Sequence, residues 1–521
     1  MSESDEWAHY RRLPYQGRAH FPSHVDFLAT IPALFGLAPP DPRQSRVLEI
    51  GCADGTNLIT MAYHLPDSEF VGFDAVDTHI QSGQQMIADL TLDNVTLLQQ
   101  DLRTITADLG TFDYIIAHGV FSWIDEAAQT SLLTLIGQRL RPDGIAYVSY
   151  NCYPGWHFDE HLRGMMRYHT QGLSSAKDEV DQARAILQFV QHAIPDKASI
   201  RHQYLDEMNR KLVDYSDDYI YHEYLEPENR PLYFSDFMTR ADAAGLQYVG
   251  ETSFPSMLSL TYPEDVQKTL DQLGRTILEF EQYRDFVCNR RFRNTLLTHK
   301  GMPISRSVGL QPILSFRIGF PLQPDHESAD GILNFGKEGD PETMVSVTSP
   351  LHKAALRLLA SRWPAAVPFA DVVAHGIEQT GRAPDALLQT ELADLLMKLY
   401  SQGLCEFHTI QPPLTNQISE RPQVSRLARY QAFSDRILSS QRHEMFGVNP
   451  LERVVVAQMN GQRSRDDLVA HLAGMIQTRD NPELAGMTPE DVAAQLVDRL
   501  LGRLAKNGML LPPGAEPLNR G

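Results

Sequence analysis

The sequence predicts an α/β protein built on an open, doubly wound, Rossmann-like parallel sheet. Three observations point there. Five apolar, β-type runs alternate with helical stretches between residues 46 and 150. The first run ends in a glycine-punctuated turn, Gly51-Cys52-Ala53-Asp54-Gly55, that leads into a helix. Acids close three successive strands, at Glu49, Asp74 and Asp101, and open α/β sheets bind ligands beyond the carboxyl ends of their strands.

The elements follow in order. Residues 7–40 form a leader carrying Tyr10, Tyr15, Phe21 and Phe27, with a helical pattern over 25–37 that Pro39-Pro40-Asp41-Pro42 breaks. This leader is expected to be a packing arm, with a cover over a ligand site as the alternative. Val47-Leu48-Glu49-Ile50 is the first strand, and the glycines after it allow a tight turn and close approach of a ligand. Amides at the start of the following helix are expected to favour a negative ligand group. Pro66 ends that helix, and Glu69-Phe70-Val71-Gly72-Phe73-Asp74 is the second strand. A helix over 80–90, a third strand over 95–102, a fourth at 112–117, a helix over 129–140 and a fifth strand at 145–149 complete the alternation. Asp74, at the tip of the second strand, is placed to accept ribose hydroxyls, and Asp101 to accept from the exocyclic amine of a base. His118 and Asn151 fall at the ends of the fourth and fifth strands.

Beyond residue 156 the pattern changes. Residues 157–230 read as a helical insertion that could lid the site, with a separate domain as the alternative. A helix, a glycine stop at Gly245 and a strand over 246–250 follow within 231–262, expected to hold the last strands of the core. Residues 263–340 read as a helical segment, with Arg290-Arg291-Phe292-Arg293 on an ion-paired helix face, and then a linker over 322–345. In 341–521, Leu395–Leu404 and Leu500–Met509 echo each other 105 residues apart, each a helix ending at glycine before a short apolar strand. That order suggests winged-helix-like modules. The expected units are thus 1–156, 157–230, 231–262, 263–340 and 341–521.

Bulk properties narrow the function. The 521 residues carry a net charge of −20, which argues against a mainly electrostatic nucleic-acid binder. Residues 341–521 are near neutral, with 18 basic and 19 acidic side chains, so protein contact or a homodimer suits their modules better than DNA. No apolar run reaches the length of a membrane span. The start, Met1-Ser2-Glu3-Ser4-Asp5-Glu6, is too acidic for a secretory signal. Four scattered cysteines without metal-ligand spacing suit a reducing, cytoplasmic setting.

The turn does not fit a dinucleotide fingerprint, which from Gly51 needs glycine where Ala53 and Thr56 stand. Its pattern, acid-x-Gly-x-Ala-x-Gly from Glu49, resembles motif I of class I S-adenosylmethionine (SAM) methyltransferases, with Ala53 in place of the middle glycine. The blocks LEIGCADGTNL, VGFD, FDYIIAHGVFSWI and SYNCYPGWH resemble a bacterial class I methyltransferase family that carries a methyltransferase regulatory domain. That family includes rickettsial lysine methyltransferases that modify outer-membrane proteins. The later blocks EYLEPENRPLYFSDFMTRADAAGLQYVGE and EQYRDFVCNRRFRNTLL resemble its regulatory region.

The resemblance implies SAM as cofactor. The candidate cofactor-binding residues are Glu49, Gly51, Cys52, Ala53 and Gly55 on the first turn, and Asp74 and Ala75 after the second strand. Asp101, Leu102 and His118 complete them. The candidate acceptor pocket is Tyr150, Asn151, Tyr153 and Trp156. Its aromatic rings would disfavour a charged amine and attract cations, and Asn151 could orient the acceptor nitrogen. Methyl transfer mainly needs positioning; no metal is required, and His157, His161 and His169 are expected to be packed or solvated. For the rickettsial members the resemblance implies lysine methylation of a protein, the leading reading here. A small amine or metabolite as acceptor, and a non-catalytic interaction protein that keeps SAM, are the alternatives.

Overall fold

The computed structural model of the chain describes residues 7–105, 108–258, 262–434, 436–476 and 488–515; the Met1–Glu6 stretch lies outside them. The leader carries helices α1 (Ala8–Arg12) and α2 (Val25–Leu34). The sheet then opens with β1 (Arg46–Ile50), α3 (Thr56–His64), β2 (Glu69–Asp74), α4 (Asp77–Leu90) and β3 (Val95–Gln99). It continues with β4 (Phe112–Ala117), α5 (Glu126–Arg139) and β5 (Leu140–Asn151). Helices α6 (His157–Thr170), α7 (Ala176–His192), α8 (Ile200–Asp214) and α9 (Asp217–Ile220) follow, the last running into a π-helical turn at Tyr221–Leu225. The chain returns to the sheet through α10 (Phe234–Ala243) and β6 (Leu246–Glu251). Helices α11 (Glu264–Leu273) and α12 (Ile277–Cys288) lead to β7 (Phe292–His299).

These seven strands form one sheet in the order β3-β2-β1-β4-β5-β7-β6, parallel except for β7, which runs antiparallel to β5 and β6. Strands β1 and β4 are almost wholly buried, as expected for central strands covered on both faces. No helix among the described residues is long and apolar enough to cross a membrane.

Two expectations need correction. The last strands of the core are not contained in 231–262, because β7 lies at Phe292–His299. The Arg290–Arg293 cluster therefore enters a strand and is not on a helix face. Arg293 is fully buried and is held by Glu251, Glu281 and Asp285, at 2.5, 3.1 and 2.8 Å. Its guanidinium also lies 3.9 Å over the Phe234 ring. Second, 322–345 is not a linker. After β8 (Arg317–Gly319), the strands β9 (Gln323–Glu327), β10 (Leu333–Lys337) and β11 (Asp340–Val347) form an antiparallel sheet. Its polar composition reflects one solvated face, while Leu333, Phe335 and Val347 are buried on the other.

The C-terminal region repeats one arrangement. Helices α13 (Pro350–Arg362), α14 (Phe369–Thr380) and α15 (Ala386–Ser401) pack with a sheet formed by β8, β12 (Val367–Pro368) and β13 (Glu406–His408). After α16 (Arg426–Phe433) and the hairpin β14 (Leu438–Ser439) and β15 (Met445–Phe446) come α17 (Pro450–Gln458), α18 (Arg465–Ala473) and α19 (Pro489–Lys506). Leu510, past α19, bridges back to Val424. Each trio ends at a left-handed glycine, Gly403 or Gly508, and an extended segment follows each.

This region grips the leader helix α2 and the first βα unit. The buried Asp26 of α2 accepts hydrogen bonds from the backbone and side chain of Thr409 and meets His408 at 2.7 Å. Arg436 reaches Asp54 at 2.5 Å, and His443 lies 2.7 Å from the side-chain oxygen of Asn57.

Candidate functional site

A cavity of about 910 Å³ opens at the carboxyl ends of the parallel strands. The turn after β1 forms its floor. Amides of Gly51 and Cys52 donate to the Phe73 carbonyl, which holds the turn against β2. Gly51 has φ +65°, and a Cβ there would come within 2.5 Å of Val120, so the position needs glycine. Ala53 takes φ +48°. Its departure from glycine thus falls at a left-handed position, where an L-residue costs roughly 1–2 kcal/mol. Gly55, also left-handed, caps α3 and packs against Leu97; it does not line the cavity. The start of α3 is not a free anion site either, because the Asp54 side chain already accepts from the Thr56 amide and is paired to Arg436.

The strand-end acids converge on one rim. Glu49, Asp74 and Asp101 all line the cavity, as do Cys52, Ala53, Ala75, Leu102 and His118. Asp74 accepts from the amides of Ala53 and Val76, both at 2.9 Å, and so ties the turn to the tip of β2. Arg103, paired at 2.6 Å, holds the Asp101 carboxyl below its usual range. Glu49 differs from both. Asn57 donates to one of its oxygens at 2.8 Å, while the other, Oε2, is buried without a hydrogen-bond partner. Burial, with Asp54 and Asp74 nearby, pushes Glu49 up to about 8. His118 is held neutral by burial and meets the Tyr147 hydroxyl at 2.8 Å.

The four acceptor-pocket candidates divide. Asn151 and Trp156 line the cavity. Both are buried, and Asn151 Nδ2 has no hydrogen-bond partner. Tyr150 does not line it. Neighbouring strand residues point to opposite faces, so with Asn151 toward the cavity, Tyr150 enters the core, stacked on Phe237 at 4.1 Å. Tyr153 also turns away. It stacks on His157 and hydrogen-bonds to Glu160 beside a separate cavity of about 300 Å³. His157, His161 and His169 are exposed and do not converge.

The rest of the wall comes from the leader, expected first as a packing arm and alternatively as a cover, from Trp123 after β4, and from the 157–230 insertion expected as a possible lid. Tyr10, Tyr15 and His20 of the leader line the cavity, whereas Phe21 and Phe27 pack on each other. Trp123 and, from the segment after α8, Tyr215, Tyr219 and Glu223 also line it. His9, His222 and Glu226 form a tight cluster at the same wall. The run Tyr215-Ser216-Asp217-Asp218-Tyr219-Ile220-Tyr221-His222-Glu223-Tyr224, dense in aromatic and acidic side chains, is the local signal that marks this wall.

Comparison with known proteins gives this geometry a family. Residues 42–210 match a methyltransferase domain profile, 216–299 a predicted methyltransferase regulatory domain, and 420–509 the PKMT C-terminal winged helix domain. The chain is 30% identical over 477 residues to the uncharacterized protein RP789 of Rickettsia prowazekii, spanning 90% of this chain and 86% of that one. The solved structure of PKMT2 from Rickettsia typhi in complex with AdoHcy superposes with a TM-score of 0.85 at 29% identity, covering 96% of this chain and all of PKMT2. The chain therefore belongs to the class I SAM-dependent methyltransferases, in the branch that joins a methyltransferase regulatory domain to a PKMT-type winged helix domain.

Proposed function

We propose that this methyltransferase acts on lysine side chains of a protein. The observation that carries the reading is the wall facing the cofactor rim, where Trp123, Trp156, Tyr215 and Tyr219 stand among Asp125, Glu223 and Glu228. Acids there attract a cationic side chain, and the rings receive its aliphatic stem and favour the neutral amine. At pH 7 deprotonating a lysine of ordinary pKa costs roughly 4.6 kcal/mol, which a dry aromatic channel reduces. PKMT2 of Rickettsia typhi, similar over its whole length, lends the same support. Three buried free cysteines fit a cytoplasmic setting.

The residues present fit the cofactor. The orphaned Glu49 Oε2 is an acceptor for an ammonium, Asp74 for the ribose hydroxyls, and Asp101 beside Leu102 for the adenine amine. Cys52, Ala53 and Ala75 line the cavity where the nucleoside would lie, beside Gly51. Once bound, SAM supplies an electrophilic methyl group on a sulfonium. The chain's residues then position the acceptor. Asn151 orients the lysine nitrogen, and the aromatic wall keeps water from the line of attack. The lysine ammonium would lose its proton to solvent at the cavity mouth before attack, and the neutral nitrogen would take the methyl as the sulfur–methyl bond breaks.

Two outcomes follow. Asn151→Ala is expected to slow transfer at least tenfold with SAM affinity intact, whereas Tyr153→Phe leaves turnover unchanged. Single-turnover kinetics beside calorimetry checks both; normal turnover of Asn151→Ala removes that residue from the acceptor site. Glu49 predicts a pH dependence of binding. Burial pushes Glu49 up to about 8, and a cationic group favours its carboxylate. Binding at pH 7 then releases a proton, so affinity rises from pH 6 to 8 by up to about tenfold per pH unit and levels off above. Calorimetry in buffers of different ionisation enthalpy reads the proton count; no release at pH 7 would contradict the assignment.

The function itself is tested by incubating the protein with methyl-tritiated SAM and a bacterial lysate, then analysing hydrolysates. Labelled methyllysine in a protein band supports the proposal. Label in a small molecule, or none despite SAM binding, overturns it.

A further inference from the structure

The leader and the π-helical turn meet at a point that methyl transfer does not use. Three ligand-type atoms, one each from His9, His222 and Glu226, lie within 4.8 Å of one another. His9 Nε2 stands 3.4 Å from Glu226 Oε2. These two atoms and His222 Nδ1 are buried, and none of the three makes a hydrogen bond. His222 and Glu226 are nearly inaccessible, 8% and 7% exposed, and His9 is partly buried. Buried polar atoms normally find partners, so three convergent orphans need an explanation.

The surroundings fix the orientation of each ligand. His222 Nε2 lies 2.7 Å from the Leu13 carbonyl. A carbonyl only accepts, so Nε2 carries the proton and the inward-facing Nδ1 presents a lone pair. This outer hydrogen bond is the device that orients metal-bound histidines. His222 also stacks on Tyr10 at 4.9 Å, and His9 on Tyr221 at 3.9 Å with nearly parallel rings. His222 belongs to a π-helical turn, an irregularity often found at functional sites.

We infer that His9, His222 and Glu226 form a binding site for a divalent transition metal ion of the zinc class. Two imidazoles and one carboxylate are a donor set that zinc accepts. Bonds of about 2.0–2.1 Å put tetrahedral neighbours roughly 3.3–3.4 Å apart, which matches the separation of His9 Nε2 and Glu226 Oε2. All three residues line the large cavity, so a fourth position faces it. The ion would staple α1 to the segment between α9 and α10 and fix the wall built by Tyr10, Tyr219 and Glu223.

The test uses the full chain stripped with a chelator. Zn²⁺ is titrated in competition with a chromophoric chelator, and Co²⁺ binding is followed by its visible spectrum. One equivalent of Zn²⁺ is expected. His222→Ala and Glu226→Gln should each weaken binding by more than the roughly 10–100-fold that loss of an outer-sphere partner costs. His169→Ala, an exposed position, should leave it unchanged. Wild-type Co²⁺ should show intensified bands of four- or five-coordination, a readout that needs no variant to fold. Zn²⁺ binding no tighter in the wild type than in both variants, or a Co²⁺ spectrum like that of the aqueous ion, overturns the site. SAM calorimetry on the stripped protein reads the transferase assignment separately.

Discussion

Arg293→Leu is expected to lower the stability of the protein by at least about 3–5 kcal/mol, the range for removing one partner of a buried ion pair. Three carboxylates, Glu251, Glu281 and Asp285, converge on this guanidinium, and all four side chains are 2% exposed or less. Arg284 also serves Glu281, and Arg290 serves Asp285. Glu251 is fully committed to β7: its second oxygen accepts from the Asn294 amide and its first also from Thr295. Among the described residues Arg293 is the cation paired directly with Glu251, so its loss breaks that ion pair at β6, the edge strand of the sheet. Arg293→Lys retains a charge but not the fork that reaches several carboxylates, so it should fall between leucine and the parent. Urea denaturation followed by tryptophan fluorescence measures all three proteins. A leucine variant within about 0.5 kcal/mol of the parent, the range of neutral surface changes, would refute the account.

Asp74→Ala is expected to weaken SAM binding by at least about 100-fold. In the assignment proposed above, its carboxylate receives two ribose hydroxyls. Hydrogen bonds to a charged group contribute about 1.5–3 kcal/mol each, so their joint loss is at least about 3 kcal/mol, or a little over two decades in Kd. The substitution also releases the amides of Ala53 and Val76. Because Ala53 already sits at positive φ, its turn has reason to relax once that tether is gone. Asp74→Asn separates the two effects, since the amide oxygen can still accept from one backbone amide while the charge is lost. Isothermal titration with SAM and AdoHcy checks both variants; unchanged affinity for Asp74→Ala removes Asp74 from the ribose role.

Strands β1 to β5 were legible because each is a compact apolar run bounded by a turn. Their acids were legible as one rim because parallel strands all end on the same side. Strand β7 was hidden, since Phe292–His299 begins with an arginine-rich stretch whose burial depends on acids from β6 and α12. No local pattern announces a strand that buries an arginine. The sheet β9–β11 was hidden by its exposed face. At the site, Tyr150 was misplaced because an aromatic-rich block was treated as one surface, although a strand sends adjacent residues to opposite sides. The repeated helix trio was readable from the paired glycine-ended helices, and its second copy falls in the winged helix domain match. The cluster of His9, His222 and Glu226 was not readable, because its members come from the leader and a π-turn far apart in sequence, and only tertiary packing joins them.

The grip of the tail on the first βα unit bears on how this protein can be cut or recombined. Asp26 and Asp54 are both buried; His408 and Thr409 serve the first, and Arg436 is the cation on the second, which also holds Thr56. A fragment ending near residue 340 would strand the Asp26 carboxylate, leave Asp54 without its cation and bare the back of the turn that cradles the donor. The winged-helix portion is thus a buttress, not a detachable appendage. Exchanging it between homologues would be felt first as a change in affinity for the small donor molecule, before any change in the choice of acceptor.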